Sequence, residues 1–437
     1  MSPDDRPDDL PVVVAGAGAA GMMAAIAAAA GRRPVVLLER TPDGGRKILV
    51  SGGGRCNVLP AAAAPERFVT DSSPHTLRKI LLAWPLAEQR RFFEEEVGIP
   101  LALEAESGKL FPASDRARDV RDGLLALAAR RGVERRFGAA VAGLAPPRAD
   151  DPRAVWTVEL AGGGALAAAA VVLATGGLSL PGTGSDGRGL EIARRLGHAV
   201  HPTYPALVPL TATPHPHAAL AGISLDVALS APGARRGSGP STARGGFLVT
   251  HRGWSGPAVL DLSHLTVRSR LAGGPRQPLF VRWTPLDEAG WEEALLAARG
   301  KVATLLARRL PDRLAATLAA EAGVPPDRTA PQLRRDERRR LLAALAHYPL
   351  PWTGDEGYAK AEVTGGGIAL SEVDPRTLES RRHPGLFLCG EMLDAFGPIG
   401  GHNFSWAWAT GRLAGQAAGR PPGSTGSSGA GHFRGSC

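Results

Sequence analysis

Cysteine and lysine are scarce in this chain, and each scarcity removes a class of protein. Only Cys56, Cys389 and Cys437 occur in 437 residues, too few for a disulfide framework and suited to a reducing compartment. Their spacing fits neither a metal site nor a Cys-x-x-Cys redox pair, so no metal is expected. No Gly-X-Y period accompanies the 56 glycines and 37 prolines, which excludes collagen. No basic segment leads into the apolar run at 12–31; the residues before it, MSPDDRPDDL, are acidic where a secretory signal is basic. That run, VVVAGAGAAGMMAAIAAAAG, is alanine and glycine in place of leucine, a poor composition for a lipid span. A cytoplasmic protein with no membrane contact is expected.

The five lysines (Lys47, Lys79, Lys109, Lys301, Lys360) leave 46 arginines among 51 basic residues, and 42 acidic residues bring the formal charge to +9. Two readings of that charge are open: an arginine- and alanine-rich genome composition, or an acidic partner such as nucleic acid. At 44% hydrophobic and 21% charged the chain is a folded soluble protein, long enough for two or three domains.

PVVVA (11–15) is a β-branched run with the texture of a buried parallel strand. A glycine turn at Gly16–Gly21 leads into an alanine-rich helix ending near Gly31, and a second buried strand, Pro34–Glu39, follows. Strand, turn, helix and strand begin a doubly wound α/β fold. Residues 75–97 and 115–131 are helical in pattern, and 133–174 hold short strands ending in AAVVLATGG. From 203 to 284 short β-like runs (SLDVALS, GFLVTH, PLFVRW) point to a small β domain. Residues 287–346 are helical and arginine-rich; strands and glycine turns return after 359, including GLFLCGE (385–391). Residues 419–437 have the composition of a disordered tail.

The chemistry starts at Gly16-x-Gly18-x-x-Gly21. The first glycine permits a tight turn, the second lets backbone approach a pyrophosphate, and the third allows close helix–strand packing. The helix N-terminus offers unpaired N–H groups to phosphate. Glu39, 18 residues past Gly21, ends the next strand, where a carboxylate can accept both ribose hydroxyls. Together these specify a nucleotide but leave FAD and NAD open. Three further segments favour FAD: the glycine-rich loop DGGRKILVSGGGRCNV (43–58), ATGG (174–177), and Gly390-Glu391 followed by GPIGGHN (397–403) and a helix. An acid at 391 can bind ribityl hydroxyls, and a helix N-terminus can face the electron-rich edge of a flavin. Arg46 and Lys47 neutralise the diphosphate or are simply solvated. A second triplet, Gly182-x-Gly184-x-x-Gly187, follows a loop and has no acid near residue 205, so it reads as a loop over the cofactor.

The segments GRKILVSGGGRCNV, ATGGLSLPGTGSDGRG, THRGWSGPAVLDLS, EVTGGGIALSEVDPRTLESR and GLFLCGEMLDAFGPIGGHNFSWAWATGRLAG resemble the BaiN/RdsA-type NAD(P)/FAD-dependent oxidoreductases over residues 11–418. The chain departs from them at Leu59-Pro60, where similar proteins carry Thr-Asn, and at His402, where many carry tyrosine. The resemblance implies an α/β fold: a Rossmann-like FAD-binding domain (1–202 and 351–418) interrupted by a β-barrel-like domain (203–285) and a helical segment (286–350). It also implies non-covalent FAD held by Gly16, Gly18, Ala19, Ala20, Gly21, Glu39, Arg40, Arg46, Lys47, Ser51, Gly52, Gly53, Arg55, Asn57 and Val141. Ala174, Thr175, Gly176, Gly390, Glu391, Gly400, Gly401, His402 and Asn403 complete the set. With no second nucleotide fingerprint, NAD(P)H is expected to dock transiently at the flavin.

The activity implied is hydride transfer from NAD(P)H through flavin to an unsaturated acceptor. The alternatives are reduction of a 23S rRNA uridine to dihydrouridine, or reduction of a bile-acid ring. A further rival is a non-catalytic flavin-holding RNA-binding factor. Cys56, beside Arg55, is the catalytic candidate: a cation lowers a thiol pKa, and a thiol could protonate a substrate carbon. The other reading is a small residue packed against the flavin. Cys389 sits in a buried strand and is expected to be inert. His402 either opens a helix or contacts the ligand, and Lys360 and Glu362 are placed to pair at a strand start. RRDERRR (334–340) is a solvated helix face or a phosphate-contacting patch of Arg334, Arg335, Arg338, Arg339 and Arg340.

Overall fold

The computed structural model describes residues 10–148, 155–233 and 239–420. Of the tail expected at 419–437, all but residues 419 and 420 lies outside the described residues, and Cys437 with it.

Strand β1 (Val12–Ala15) leads through a glycine turn to helix α1 (Ala19–Ala28), strand β2 (Val35–Glu39) and helix α2 (Arg46–Val50). Strand β3 (Lys109–Pro112), helix α3 (Ala117–Arg130) and strand β4 (Glu134–Phe137) follow. Next come β5 (Ala170–Leu173), α4 (Arg188–Arg195), β6 (Val200–Ala206), β7 (Ser224–Ala231), β8 (Ser241–Val249) and α5 (Pro257–Leu271). Helix α6 (Arg335–Ala346), strands β9 (Val363–Ile368) and β10 (Leu386–Leu388), and helix α7 (His402–Ala418) complete the frame.

The central sheet is parallel throughout, in the order β10–β5–β1–β2–β4. Its inner strands VVVA, VVLLE and AVVL are buried on both faces, which is why they read as unbroken apolar runs. Helix α1 is apolar all round because it is covered all round, by the sheet, α3 and α7. Its seam with α7 has no room for side chains. A Cβ on Gly411 would lie 2.3 Å from the Ala20 carbonyl oxygen, and one on Gly415 would lie 2.1 Å from that of Ala24. The stretch that imitated a membrane segment is this strand and helix; among the described residues no helix is long and apolar enough to cross a membrane.

A second core runs from Leu210 to Trp352. It lies under a seven-stranded antiparallel sheet whose edge strands are Tyr348–Pro349 and Gly354–Asp355. Four residues join those edges, so they stand within about 18 Å of each other, whereas a flat sheet of this size separates its edges by about 29 Å. The sheet must curl. Its edges do not pair with each other, so the β-barrel-like segment expected from sequence is a curled open sheet. The boundary expected at 202–203 falls inside β6, which pairs antiparallel with β9, and Gly354–Asp355 pairs with Leu210–Thr211 across the boundary expected at 350–351. Helix α5 interrupts what the sequence suggested was β texture: Pro257 starts it at the first turn, and its face of Ala258, Val259, Leu262 and Val267 is buried. Tyr204, Leu207, Leu260, Val363 and Phe396 form a small cluster drawing on both parts of the chain.

Candidate functional site

The carboxyl ends of β1, β2, β5 and β10 open into one cavity of about 590 Å³, lined by residues just past each strand: Gly16, Arg40, Ala174 and Gly390. Ligands of open parallel sheets bind at this edge, and the volume lies within the usual range of about 300–1,000 Å³ for small-molecule sites.

The three glycines of the first turn do different work. Gly16 has φ +102, and a Cβ there would sit 2.6 Å from the Ala174 carbonyl oxygen. At Gly21 a Cβ would meet the Gly16 carbonyl oxygen at 1.7 Å, so this glycine serves packing and does not line the cavity. Gly18 is the exception: its φ of −78 suits any residue, and apart from its own chain neighbours no protein atom lies within 4 Å of where a Cβ would stand. The space beside it belongs to the cavity. Glu39 Oε2 accepts from Ala17 N–H and Oε1 from Thr41 N–H, both at 2.8 Å, leaving each oxygen a further lone pair.

Most polar side chains that the sequence placed on a ligand line the cavity and are also tied to protein partners. Glu391 Oε2 accepts from Lys47 Nζ at 2.7 Å, while Oε1 accepts from the Ser179 hydroxyl and from the N–H and hydroxyl of Thr364. Asn403 accepts from Gly397 N–H at 2.8 Å and donates to the Gly397 carbonyl at 2.9 Å, closing the 397–401 turn. Asn57, with its amide turned to donate to the Leu59 carbonyl, accepts from Gly401 N–H at 3.0 Å. Arg46 pairs with Asp43, Arg40 with Asp186, and Arg55 with Glu104 while stacking on Phe111. Two lining cations have no ion-pair partner among the described residues, and the sequence reading missed both: Lys109 and Arg188. Their signal was faint, a lone lysine in a short strand and an arginine in the first turn of α4.

Ala19, Ala20, Ser51, Gly52, Gly53, Val141, Thr175, Gly176, Gly400 and Gly401 also line the cavity, and Thr183–Asp186 form a loop along it, as expected of the rejected second triplet. Two expectations fail. Cys56 is 0% exposed and absent from the cavity wall. Burial pushes its thiol up to about 12, with only a Ser51 hydrogen bond opposing, and Arg55 is drawn off to Glu104. It is an inert packed thiol, as Cys389 is, also pushed up to about 12. His402 turns from the cavity into a small pocket beside Phe68, Leu81 and Trp84. Burial lowers its pKa to about 4, so it is neutral. Lys360 and Glu362 do not pair; Glu362 lines the cavity. In the arginine run, Arg334 binds Glu337 and Arg340 binds Asp336, leaving Arg335 and Arg339 exposed without ion pairs among the described residues.

A family model described as "HI0933-like protein Rossmann domain" matches residues 10–417. The chain belongs to the HI0933-like family. Its members are FAD-dependent Rossmann proteins. Among its relatives, the ribosomal RNA dihydrouridine synthase of Escherichia coli is 33% identical over 370 residues, 84% of this chain and 87% of the relative. The 3-dehydro-bile acid delta(4,6)-reductase of Clostridium scindens is 32% identical over 384 residues, 86% of this chain and 91% of that one. The solved 3-ketosteroid delta1-dehydrogenase of Sterolibacterium denitrificans shares the fold at 13% identity, with a TM-score of 0.51 over 94% of this chain and 99% of its own.

The residues present fit the flavin dinucleotide that the HI0933-like family implies. The cavity follows the edge of the parallel sheet, the void beside Gly18 leaves room for a ligand at the start of α1, and Glu39 keeps acceptor capacity at the end of β2. Gly53, at φ +67, likewise has open space where its Cβ would stand.

Proposed function

We propose that this chain binds FAD non-covalently in the cavity and reduces a carbon–carbon double bond conjugated to a carbonyl, with a reduced nicotinamide as the electron source. The observation that carries the reading is Gly18: neither its backbone angles nor its protein neighbours require glycine, so the demand comes from a ligand at the helix N-terminus. Gly16, Gly18 and the first turn of α1 would hold the diphosphate, with Arg188 as a free cation nearby. Glu39 would take the ribose hydroxyls. The Lys47–Glu391–Ser179–Thr364 network and the two asparagines would fix the wall, so that little reorganisation is left to the reaction. Bound flavin supplies hydride chemistry; the chain supplies position and exclusion of water.

The acceptor follows from what the two relatives' names share. A uridine base and a 3-oxo-4,6-diene both present a double bond conjugated to a carbonyl, and such a bond accepts hydride at its far carbon and a proton at its near one. An rRNA uridine is the acceptor we put first, supported by the +9 charge and the unpaired Arg335 and Arg339. A base would have to leave its stack to reach the cavity.

The test is mass spectrometry of rRNA nucleosides from a deletion strain, with and without the gene restored, beside anaerobic titration of the purified protein with NADH and NADPH. Dihydrouridine that falls on deletion and returns on complementation, with a yellow protein that bleaches, is the expected result. Unchanged dihydrouridine moves the acceptor to a small enone. A colourless protein that cannot be reconstituted with FAD overturns the flavin reading, and RNA binding that survives loss of FAD without turnover makes the chain an RNA-binding factor.

A further inference from the structure

Three charged groups from three elements meet where the 397–401 turn closes the cavity. Glu362, one residue before β9, lines that wall, and so does Lys109, the first residue of β3. A Cβ on Gly400 would come within 3.9 Å of Lys109 Cε. Behind the turn, Asp261 of α5 accepts a 2.8 Å hydrogen bond from Ile399 N–H. Glu39, Asp186 and Glu391 also line the cavity, and each is held by backbone, hydroxyl or cation partners. Glu362 differs: among the described residues its carboxyl group has no hydrogen bond or ion pair.

An acid left free on a cavity wall suits a step that conjugate reduction requires. Each hydride added to the far carbon of the double bond needs a proton at the near one, and a side chain poised to give it contributes substantially to rate. We propose that Glu362 is the proton donor of the reduction, with Asp261 as the positioning residue that anchors the turn beside it. This rests on the function proposed above. Hydride drawn from the reduced nicotinamide adds to the far carbon, the π pair shifts to leave an enolate, and the Glu362 O–H bond breaks to give its proton to the near carbon. The substrate gains two hydrogens, the nicotinamide is oxidised, and Glu362 recovers its proton from water.

The surroundings favour a protonated donor. Glu362 is exposed to the open cavity; the protein surrounding the cavity raises its pKa above the ordinary value, the Asp261 carboxylate adds to the rise, and Lys109 and Lys47 oppose it. Asp261 is itself pushed up to about 6 by burial, against the Ile399 N–H, Arg67 and Lys109.

The experiment uses the FAD-loaded full chain and two readouts. Infrared difference titration should show two carboxylic C=O bands that persist above the ordinary carboxylate range, one that disappears in Glu362→Gln and one, from Asp261, that disappears in Asp261→Asn. Asp261→Asn removes a neighbouring negative charge and should move the Glu362 band's midpoint to lower pH. Reoxidation of prereduced enzyme by rRNA from the deletion strain, or by 2-cyclohexen-1-one, should slow about 10²–10⁴-fold in Glu362→Gln and less in Glu362→Asp. A Glu362→Gln enzyme that reoxidises at the wild-type rate, or a wild type without the Glu362 band, overturns the assignment. If wild type reduces neither acceptor, the functional reading fails, while the band still decides whether Glu362 holds a proton. Should Glu362→Gln lose its FAD, Glu362→Asp and the Asp261→Asn band shift carry the decision.

Discussion

At Gly18 and Gly21 one amino acid answers two different demands, and substitution separates them. Gly18→Val puts a side chain into open cavity space at a backbone angle valine accepts. The variant should fold with a stability within about 1 kcal/mol of wild type and purify without flavin absorbance. Gly21→Val drives a Cβ to 1.7 Å from a backbone oxygen and should not yield folded protein; circular dichroism and the flavin spectrum of the two variants decide it. At Cys56 a sequence-level guess gave way to burial. A thiol beside an arginine invited reactivity, but its side chain is packed inside and its thiol is held neutral. Cys56→Ala should therefore keep NAD(P)H bleaching and acceptor reduction, measured as two half-reactions. The glycines and Glu39 were legible because backbone geometry leaves a residue-type signature at fixed spacing. Lys109, Arg188 and Glu362 were not, because a single charge carries no sign of which face of its element turns inward.

Among the elements, the α1–α7 seam sets the sharpest packing constraint. Gly415→Ala forces two backbones apart, since its Cβ would lie 2.1 Å from the Ala24 carbonyl oxygen. A cost of about 1–3 kcal/mol is expected, visible as a fall of several degrees in thermal denaturation. Helix α5 gives a pH prediction through Asp261, whose pKa rises from an ordinary 3.8 to about 6 in the folded protein. The folded state keeps a proton that the unfolded chain releases, so this residue's contribution to stability falls as pH rises from about 4 to about 6. The span is on the order of 3 kcal/mol. Asp261→Asn, which can still accept from Ile399 N–H, should match wild type near pH 4 and exceed it in urea midpoint at pH 7. The parallel strands announced themselves by unbroken apolar runs, whereas α5 did not, since its valines, threonine and histidine suit a strand as well as a helix until tertiary packing decides.

For the molecule as a whole, the excess of arginine resolves into paired and unpaired groups. If rRNA is the acceptor, Arg335→Ala with Arg339→Ala should reduce the slope of log affinity against log salt by about 1.4–1.8, the loss of two phosphate contacts. An unchanged slope assigns the charge to composition alone. The parallel sheet and the antiparallel β texture after it could be read along the chain, but the pairings that tie them together could not. Antiparallel pairing of β6 with β9, and of Leu210–Thr211 with Gly354–Asp355, joins segments far apart in sequence that carry no mark of their partners.

The seam between α1 and α7 also bears on how the protein is made. Residue 12 opens β1 and residue 418 ends α7, and a ribosome adding about 5–20 residues per second separates them by about 20–80 s. For that interval the nascent chain carries an all-apolar helix without the α7 part of its cover, and the wall from Gly390 to Ala407 does not yet exist. The cavity therefore becomes complete only when nearly the whole of the described chain has been made.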